Sequence, residues 1–271
     1  MNTSVKLMDH EINNPISDSQ YDEDFAVGSP TQFSTSTRSA DDDSISLKIE
    51  NLSKIYDSGA AGKVVALRKI NLTIKKGEFV SIIGPSGSGK STLLNIIGAL
   101  DRPTVGKIYI GGIDIFSLKD TEIATMRNNM IGFIFQSYNL INRTTVQKNV
   151  ELPAIILGMS GTDRNRKSLK LLQALGIADK AKHKPSNLSG GQQQRVAIAR
   201  SLINDPTIIL ADEPTGNLDS KTGDEIFHML KTLSNKFGRT IIMVTHNPEL
   251  SEDTDRSIFL RDGKVERDTI N

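Results

Sequence analysis

The stretch Phe79-Val80-Ser81-Ile82-Ile83-Gly84-Pro85-Ser86-Gly87-Ser88-Gly89-Lys90-Ser91-Thr92-Leu93-Leu94 decides how this chain is read. A short apolar run breaks into glycines, and an apolar stripe at helical spacing (Leu93, Leu94, Ile97, Leu100) follows. Gly84 to Ser91 fit G-x-x-x-x-G-K-[ST] between a strand and a helix, the context in which that pattern carries a mechanism. Gly84, Gly87 and Gly89 let the backbone N–H groups around Pro85, Ser86 and Ser88 turn towards one anion. The helix N-terminus adds partial positive charge. Lys90 then places a cation on the β- and γ-phosphates of a nucleotide, and the Ser91 hydroxyl is a ligand for Mg²⁺. Thr92 follows on the same first turn and belongs with the cofactor-binding set.

A nucleotide site in a parallel sheet also needs acids at a neighbouring strand end. Three further runs read as strands buried on both faces: Ile131–Phe135, Thr207–Ala211 and Thr240–Thr245. Asp212, at the end of the second, can hold magnesium through water, and Glu213 can polarise an attacking water. A buried carboxylate without a cation is costly, so the placement makes sense if a metal or proton arrives. His246 leaves the third run at the same edge, where an imidazole can bond the γ-phosphate; His10, His183 and His228 have no such position.

Ahead of this core, Ile45–Ile49, Val64–Leu67 and Ile70–Ile74 read as short strands of an antiparallel sheet, with a loop at Asp57–Gly62. Helical stripes appear at Val196, Ile198, Ala199, Leu202 and at Ile226, Leu230, Leu233, Phe237. Between Gln136 and Leu188 there is no strand pattern, only stripes such as Leu169, Leu172, Leu175, which marks an inserted helical lobe at about residues 137–187.

The 271 residues are 37% hydrophobic and 24% charged, a globular composition. No run of 18 apolar residues crosses a bilayer, and the N-terminus has no secretory pattern. The absence of cysteine removes disulfides, thiolate metal sites and cysteine nucleophiles. The net charge of +1 hides two unlike pieces. Residues 1–43 carry nine acids and two bases, leaving 31 bases and 23 acids from residue 44 onward. The polar leader has too little apolar surface to offset ordering entropy, so residues 1–43 read as a disordered acidic tail and 44–271 as the folded domain.

Leu188-Ser189-Gly190-Gly191-Gln192-Gln193-Gln194-Arg195 resembles the signature sequence of ABC (ATP-binding cassette) ATPases. Other elements follow that family's order: Tyr56 resembles the aromatic that stacks on adenine, Gln136 the Q-loop glutamine, Asn217-Leu218-Asp219 the D-loop and His246 the switch histidine. Met130–Leu140, Asn149–Pro153 and Ala211–Asp219 are similar to the macrolide-export, lipoprotein-release and cell-division subgroup. The resemblance covers residues 45–268 and implies an α/β P-loop NTPase core with an N-terminal antiparallel β subdomain and an inserted α-helical subdomain. It further implies ATP and Mg²⁺ as cofactors, with Ser91, Gln136 and Asp212 towards the metal. The implied assembly is a head-to-tail homodimer whose sites join one chain's Lys90 and Glu213 to the other's Ser189, Gly190 and Gly191, with Asp219 nearby. A permease on a separate chain would hold the protein at the cytoplasmic face of the membrane.

Several residues keep two readings. Ser189 with Gln192 has capping-box spacing, so it caps a helix whether or not it also meets a phosphate. Tyr56 is either strand core or a stacking platform. Leu140, Ile141, Val146, Val150 and Leu152 are ordinary core or the place where the family docks a permease's coupling helix. The basic run Arg164, Arg166, Lys167, Lys170, Lys180, Lys182, Lys184 has no interleaved aromatic, which argues against nucleic acid and for a solvated face. A soluble family member of translation or cofactor assembly is the alternative function; a chromosome-associated one would need sustained heptads that this chain lacks.

Overall fold

The computed structural model describes residues 44–57, 59 and 62–271; the acidic tail at 1–43 lies outside the described residues. Ile45–Asp57 (β1) and Lys63–Lys75 (β2) pair antiparallel, Ile49 opposite Leu72. Val105–Ile110 (β4) adds to the other side of β1, and Ile113–Asp114 (β5) closes a four-stranded sheet in the order β2-β1-β4-β5. The two short strands expected at Val64–Leu67 and Ile70–Ile74 are one 13-residue strand. Lys69, with φ 49, and the register shifts around Leu52 bend it without ending it.

The second sheet has the order β10-β9-β3-β8-β7-β6. Its strands are Phe79–Ile83 (β3), Ile131–Phe135 (β6), Ile208–Asp212 (β7), Thr240–Val244 (β8), Arg256–Arg261 (β9) and Lys264–Ile270 (β10). Five run parallel, and β10 is an antiparallel edge. Side chains alternate between two cores, as period-two geometry requires. On one face Ile209, Ala211, Ile241 and Met243 pack with helices α3 (Val146–Ile156), α4 (Gly161–Ala174), α5 (Gly190–Leu202) and α6 (Ser220–Asn235). On the other, Ile208, Leu210, Ile242 and Val244 pack with α1 (Lys90–Ile97), α2 (Asp120–Met130) and the antiparallel sheet. Burial on both faces explains why these strands read as unbroken apolar runs.

Residues 137–187 contain α3, α4 and two 3-10 turns, with no strand. Some stripe members fall elsewhere than expected. Leu100 lies beyond the end of α1 and is half exposed, and Leu169 points outward from α4, while Leu172 and Leu175 are buried. The strands β4, β5, β9 and β10 have no counterpart in the apolar pattern. Their hairpins did leave a local trace. Gly111-Gly112 (φ 55, 81) and Asp262-Gly263 (φ 49, 74) are the doubly left-handed turns that two-residue hairpin loops require.

Candidate functional site

Parallel register sets the carboxyl ends of four strands side by side: Ile82 beside Val244, Val244 beside Asp212, Asp212 beside Phe135. Gly84, His246, Glu213 and Gln136 leave those strands at one sheet edge. Thr245 N–H donates to Ile82 O at 3.2 Å and Glu213 N–H to Val244 O at 2.9 Å, so the ladder extends one step into the site.

The Gly84–Ser91 turn is shaped by backbone sterics. Gly84 has φ 146, and a Cβ there would meet Leu260 O at 2.1 Å; at Gly89, φ 104, it would meet Ala66 O at 2.7 Å. Only glycine fits either place. Lys90 folds over the turn and donates from Nζ to Gly84 O at 2.8 Å and Pro85 O at 2.9 Å. The Ser88 hydroxyl is buried and bonds nothing among the described residues. Helix α1 starts at Lys90 with no side-chain cap and no acid in its first turn, so its N–H groups point towards the turn uncontested. Pro85, Ser86, Gly87 and Ser91 are exposed at its mouth, and Thr92 is half-buried.

Asp212 ends β7 half-buried. Burial pushes its carboxyl above the usual range, the Glu213 charge adds to that, and Lys90 opposes it. Glu213 adopts φ 45, and its Oε2 lies 3.1 Å from His246 Nδ1. Gln136 stands beside them: its Nε2 donates to Asn217 Oδ1 at 3.3 Å, and Asn217 Nδ2 donates to Gln136 O at 3.0 Å. A Cβ at Gly216 would lie 2.6 Å from Gln136 Nε2 and 3.3 Å from Glu213 Oε2, so this glycine lets amide and carboxylate approach. Asn217, whose side chain fixes Gln136, had stood out in the sequence only as part of a motif.

Tyr56 is not core. At the end of β1 it is 38% exposed, its hydroxyl donating to Asp101 Oδ2 at 2.8 Å. Lys54 Nζ sits 4.7 Å from the ring centroid and 2.7 Å from Asp101 Oδ1. Burial and the Asp101 carboxylate raise the phenol's pKa against a smaller effect of Thr92. Tyr56 thus borders the first turn of α1 as a partly open ring. Lys54 and Asp101, which hold it, are distant in sequence from each other and carried no motif.

Four expected residues stand apart from this cluster. Ser189 heads α5 in a closed capping box: its Oγ accepts from Gln192 N–H at 3.3 Å, and its own N–H donates to Gln192 Oε1 at 3.1 Å. The nearest neighbours of Gly190 and Gly191 are Tyr138, Leu218 and Thr222, none of them in the Gly84–Ser91 turn. Asp219 caps α6, accepting from Thr222 N–H at 3.1 Å and Thr222 Oγ1 at 2.7 Å, and those bonds lower its carboxyl pKa. Of the lobe residues with two readings, Val146 and Val150 are core, whereas Ile141 is exposed with Ile155, Ile156 and Leu157.

Residues 67–216 match the family described as ABC transporter. The chain is 51% identical over 220 residues to an uncharacterized ABC transporter ATP-binding protein of Thermotoga maritima, covering 81% of this chain and 93% of that one. It is 48% identical to the macrolide export ATP-binding/permease protein MacB of Brucella melitensis over 82% of this chain and 34% of MacB. Among solved structures it resembles, with TM-score 0.76 and 50% identity, a dimeric post-hydrolysis state of the ATP-binding cassette MJ0796 bound to ADP and Pi. That likeness covers 83% of this chain and 98% of that one; MJ0796 is a protein of Methanocaldococcus jannaschii. A second likeness, TM-score 0.74 and 31% identity over 84% and 89% of the two chains, is to cbiO1 of Clostridium perfringens, part of an ABC transporter complex.

Proposed function

This chain belongs to the ABC transporter family of ATP-binding domains, and on that premise we propose how its residues divide the work of hydrolysing ATP for a permease carried on another chain. The observation that carries the proposal is spatial. Lys90, Asp212, Glu213, His246 and Gln136 share one sheet edge, while the glycines at the head of α5 lie against Tyr138, Leu218 and Thr222 and touch none of the Gly84–Ser91 turn within Cβ reach.

The pocket fits a magnesium nucleotide. The buried Ser88 hydroxyl has no partner among the described residues, and burial together with the neighbouring Glu213 charge holds the Asp212 carboxyl pKa up, a cost that a bound cation would relieve. Among the described residues no group of three His, Cys, Asp or Glu could hold a metal. A hard cation here would therefore draw most of its oxygens from phosphate and water. Ser91 and Asp212 would hold Mg²⁺ with Gln136 at its margin, and when bound it would neutralise charge on the phosphates.

The N–H groups of Gly84–Ser91 and the head of α1 grip the β-phosphate. Lys90 exchanges its two carbonyl partners for the β- and γ-phosphate oxygens, and the Tyr56 face receives adenine. Glu213 takes a proton from the attacking water as its oxygen bonds the γ-phosphorus in line. The bond to the β–γ bridging oxygen breaks, and ADP carries away that electron pair. His246 holds Glu213 and bonds the γ-phosphate, stabilising charge where it develops. The second wall of each pocket is the head of α5 from a second copy, with Asp219 beside it. Similarity to the dimeric cassette supports this arrangement.

Exposed Ile141, Ile155 and Ile156 are apolar side chains that a membrane subunit would cover, and such a subunit would hold the protein at the cytoplasmic face of the membrane. No helix among the described residues is long and apolar enough to cross a membrane. The MacB relative, which joins ATP-binding and permease functions in one protein, favours coupling to export over the soluble alternative.

Glu213→Gln tests the assignment of the base. It should retain ATP affinity, lose about 10²-fold or more in turnover, and elute as a dimer in ATP on size exclusion. Parental turnover in that variant removes Glu213 from the mechanism.

A further inference from the structure

Two consecutive residues just after Gln136, Tyr138 and Asn139, adopt left-handed backbone with φ 59 and 49. Asparagine tolerates this region, but a bulky aromatic does so only when its surroundings over-determine it. Local bonds do part of that: Tyr138 N–H donates to Phe135 O at 3.1 Å and Asn139 N–H to Ser137 O at 2.6 Å. The remainder comes from far along the chain. Arg200, in the last turn of α5, donates from Nη2 to Tyr138 O at 2.8 Å and from Nη1 to Asn139 O at 2.6 Å.

This is an unusual use of a cation. Arg200 is half-buried, and both its hydrogen bonds go to neutral carbonyls. Burial lowers its guanidinium pKa, and among the described residues no carboxylate counters that. Charge-assisted bonds from a rigid fork suit two carbonyls in one fixed geometry, which a single ammonium cannot match. The helix end itself favours the charge, since the last turn of α5 is its negative pole.

Tyr138 carries the connection to the other end of α5. Its hydroxyl lies 2.8 Å from where a Cβ on Gly190 would sit. Ten residues of helix separate Gly190 from Arg200, about 15 Å of rise. The tyrosine hydroxyl therefore meets the head of α5, while the long Arg200 side chain from the last turn of the same helix reaches its backbone carbonyl. Leu218 touches the same point, 3.1 Å from that Cβ position, and its neighbour Asn217 bonds Gln136. The Gln136 loop, the head of α5 and the Asn217–Leu218 turn are thus in mutual contact.

We infer that Arg200 is a positioning residue for hydrolysis: its fork holds the Tyr138–Asn139 turn, and through Tyr138 it keeps the Gln136 loop in register with the head of α5. The inference rests on the roles proposed above for Gln136 and Gly190. It adds that the two ends of one protomer's contribution, Gln136 for its own nucleotide and the head of α5 for its partner's, move as one body. Arg200 touches neither nucleotide.

The test uses the full chain and steady-state ATP hydrolysis, with rates normalised to folded protein by circular dichroism. Arg200→Gln should lower kcat about 10-fold or more, the scale of a small misplacement remote from the chemistry, and leave KM for ATP within about threefold. Arg200→Lys should fall between it and the parent. Adding Asn139→Gly to Arg200→Gln should recover kcat about threefold, because glycine holds the left-handed turn without an external grip. A kcat for Arg200→Gln within twofold of the parent overturns the inference. So does a loss that glycine does not relieve, or one that follows only the folded fraction. Should Arg200→Gln fail to fold, Arg200→Lys decides: parental kcat overturns the inference, and reduced kcat with unchanged KM and thermal midpoint supports it. An inactive Glu213→Gln beside fully active Arg200 variants sinks this inference alone; an active Glu213→Gln sinks the assignment of the base instead.

Discussion

Helices α1 and α5 both begin in glycine-rich sequence, and their heads are built oppositely. At α1 the residue before the helix is Gly89 in left-handed backbone, with no side chain accepting from the first turn. At α5 Ser189 and Gln192 close a reciprocal box over two of the N–H groups that would otherwise be unpaired. An uncapped helix head, beside a Ser88 hydroxyl that is buried without a partner among the described residues and a folded-back Lys90, has the donors that the proposed phosphate site needs within one protomer. The capped head of α5 is already stable alone, and only its exposed rim at Ser189 and half-buried Gly190 remain to meet something outside. The difference teaches that one head completes a pocket and the other completes a surface.

The comparison breaks most severely at Gly84. Alanine there would drive its Cβ into the backbone carbonyl of Leu260, which cannot rotate away as a side chain would. Gly84→Ala should therefore lose about 3 kcal/mol or more of stability along with ATP binding. An unchanged thermal melt would mean that the turn has a second accessible shape. Ser189→Arg addresses the other head. It should cut hydrolysis by about 10²-fold, the loss typical of a removed transition-state donor, while monomer nucleotide affinity, followed by fluorescent ATP titration, stays parental. Equal loss of affinity would place α5 in the same pocket as α1.

The smallest effect sharpens the electrostatics. Asp212 has its folded-state pKa raised, mainly by burial, so the folded protein binds its proton more readily than the unfolded chain does. That contribution favours folding at low pH and is lost as pH rises through the folded pKa. Asp212→Asn should accordingly raise the thermal midpoint of the nucleotide-free protein at neutral pH by about 2 °C, the shift that a fraction of a kcal/mol gives in a domain this size. The gain should vanish on acidification below the carboxylate range. A midpoint lowered at pH 7 would show that Asp212 is stabilised as the anion by its surroundings.

Local chemistry explains how much was legible beforehand. The turn from Gly84 to Ser91, the acids ending β7 and the box at Ser189 each depend on residues within a few positions of one another, and each stands where its pattern places it. The apolar runs of β3, β6, β7 and β8 announced a sheet covered on both faces. The strands β9 and β10 went unread because charged residues cut the apolar run of β9 to Ile258–Leu260 and leave β10 almost none, and the Arg256–Asp268 ion pair that joins them is visible only once they are side by side.

Sequence alone supplied the residues to which the proposed chemistry is assigned: the Gly84–Ser91 turn, Asp212, Glu213 and His246, because each stands out by residue type at short spacing. Tertiary structure decided which of them meet. It put Gln136 and Asn217, 81 positions apart, into one hydrogen-bonded pair, and it brought Tyr138 to both Arg200 and Gly190, ten positions apart on α5. Strand order and helix packing set those distances through burial of two opposite apolar faces, a property of the whole chain that no short window contains.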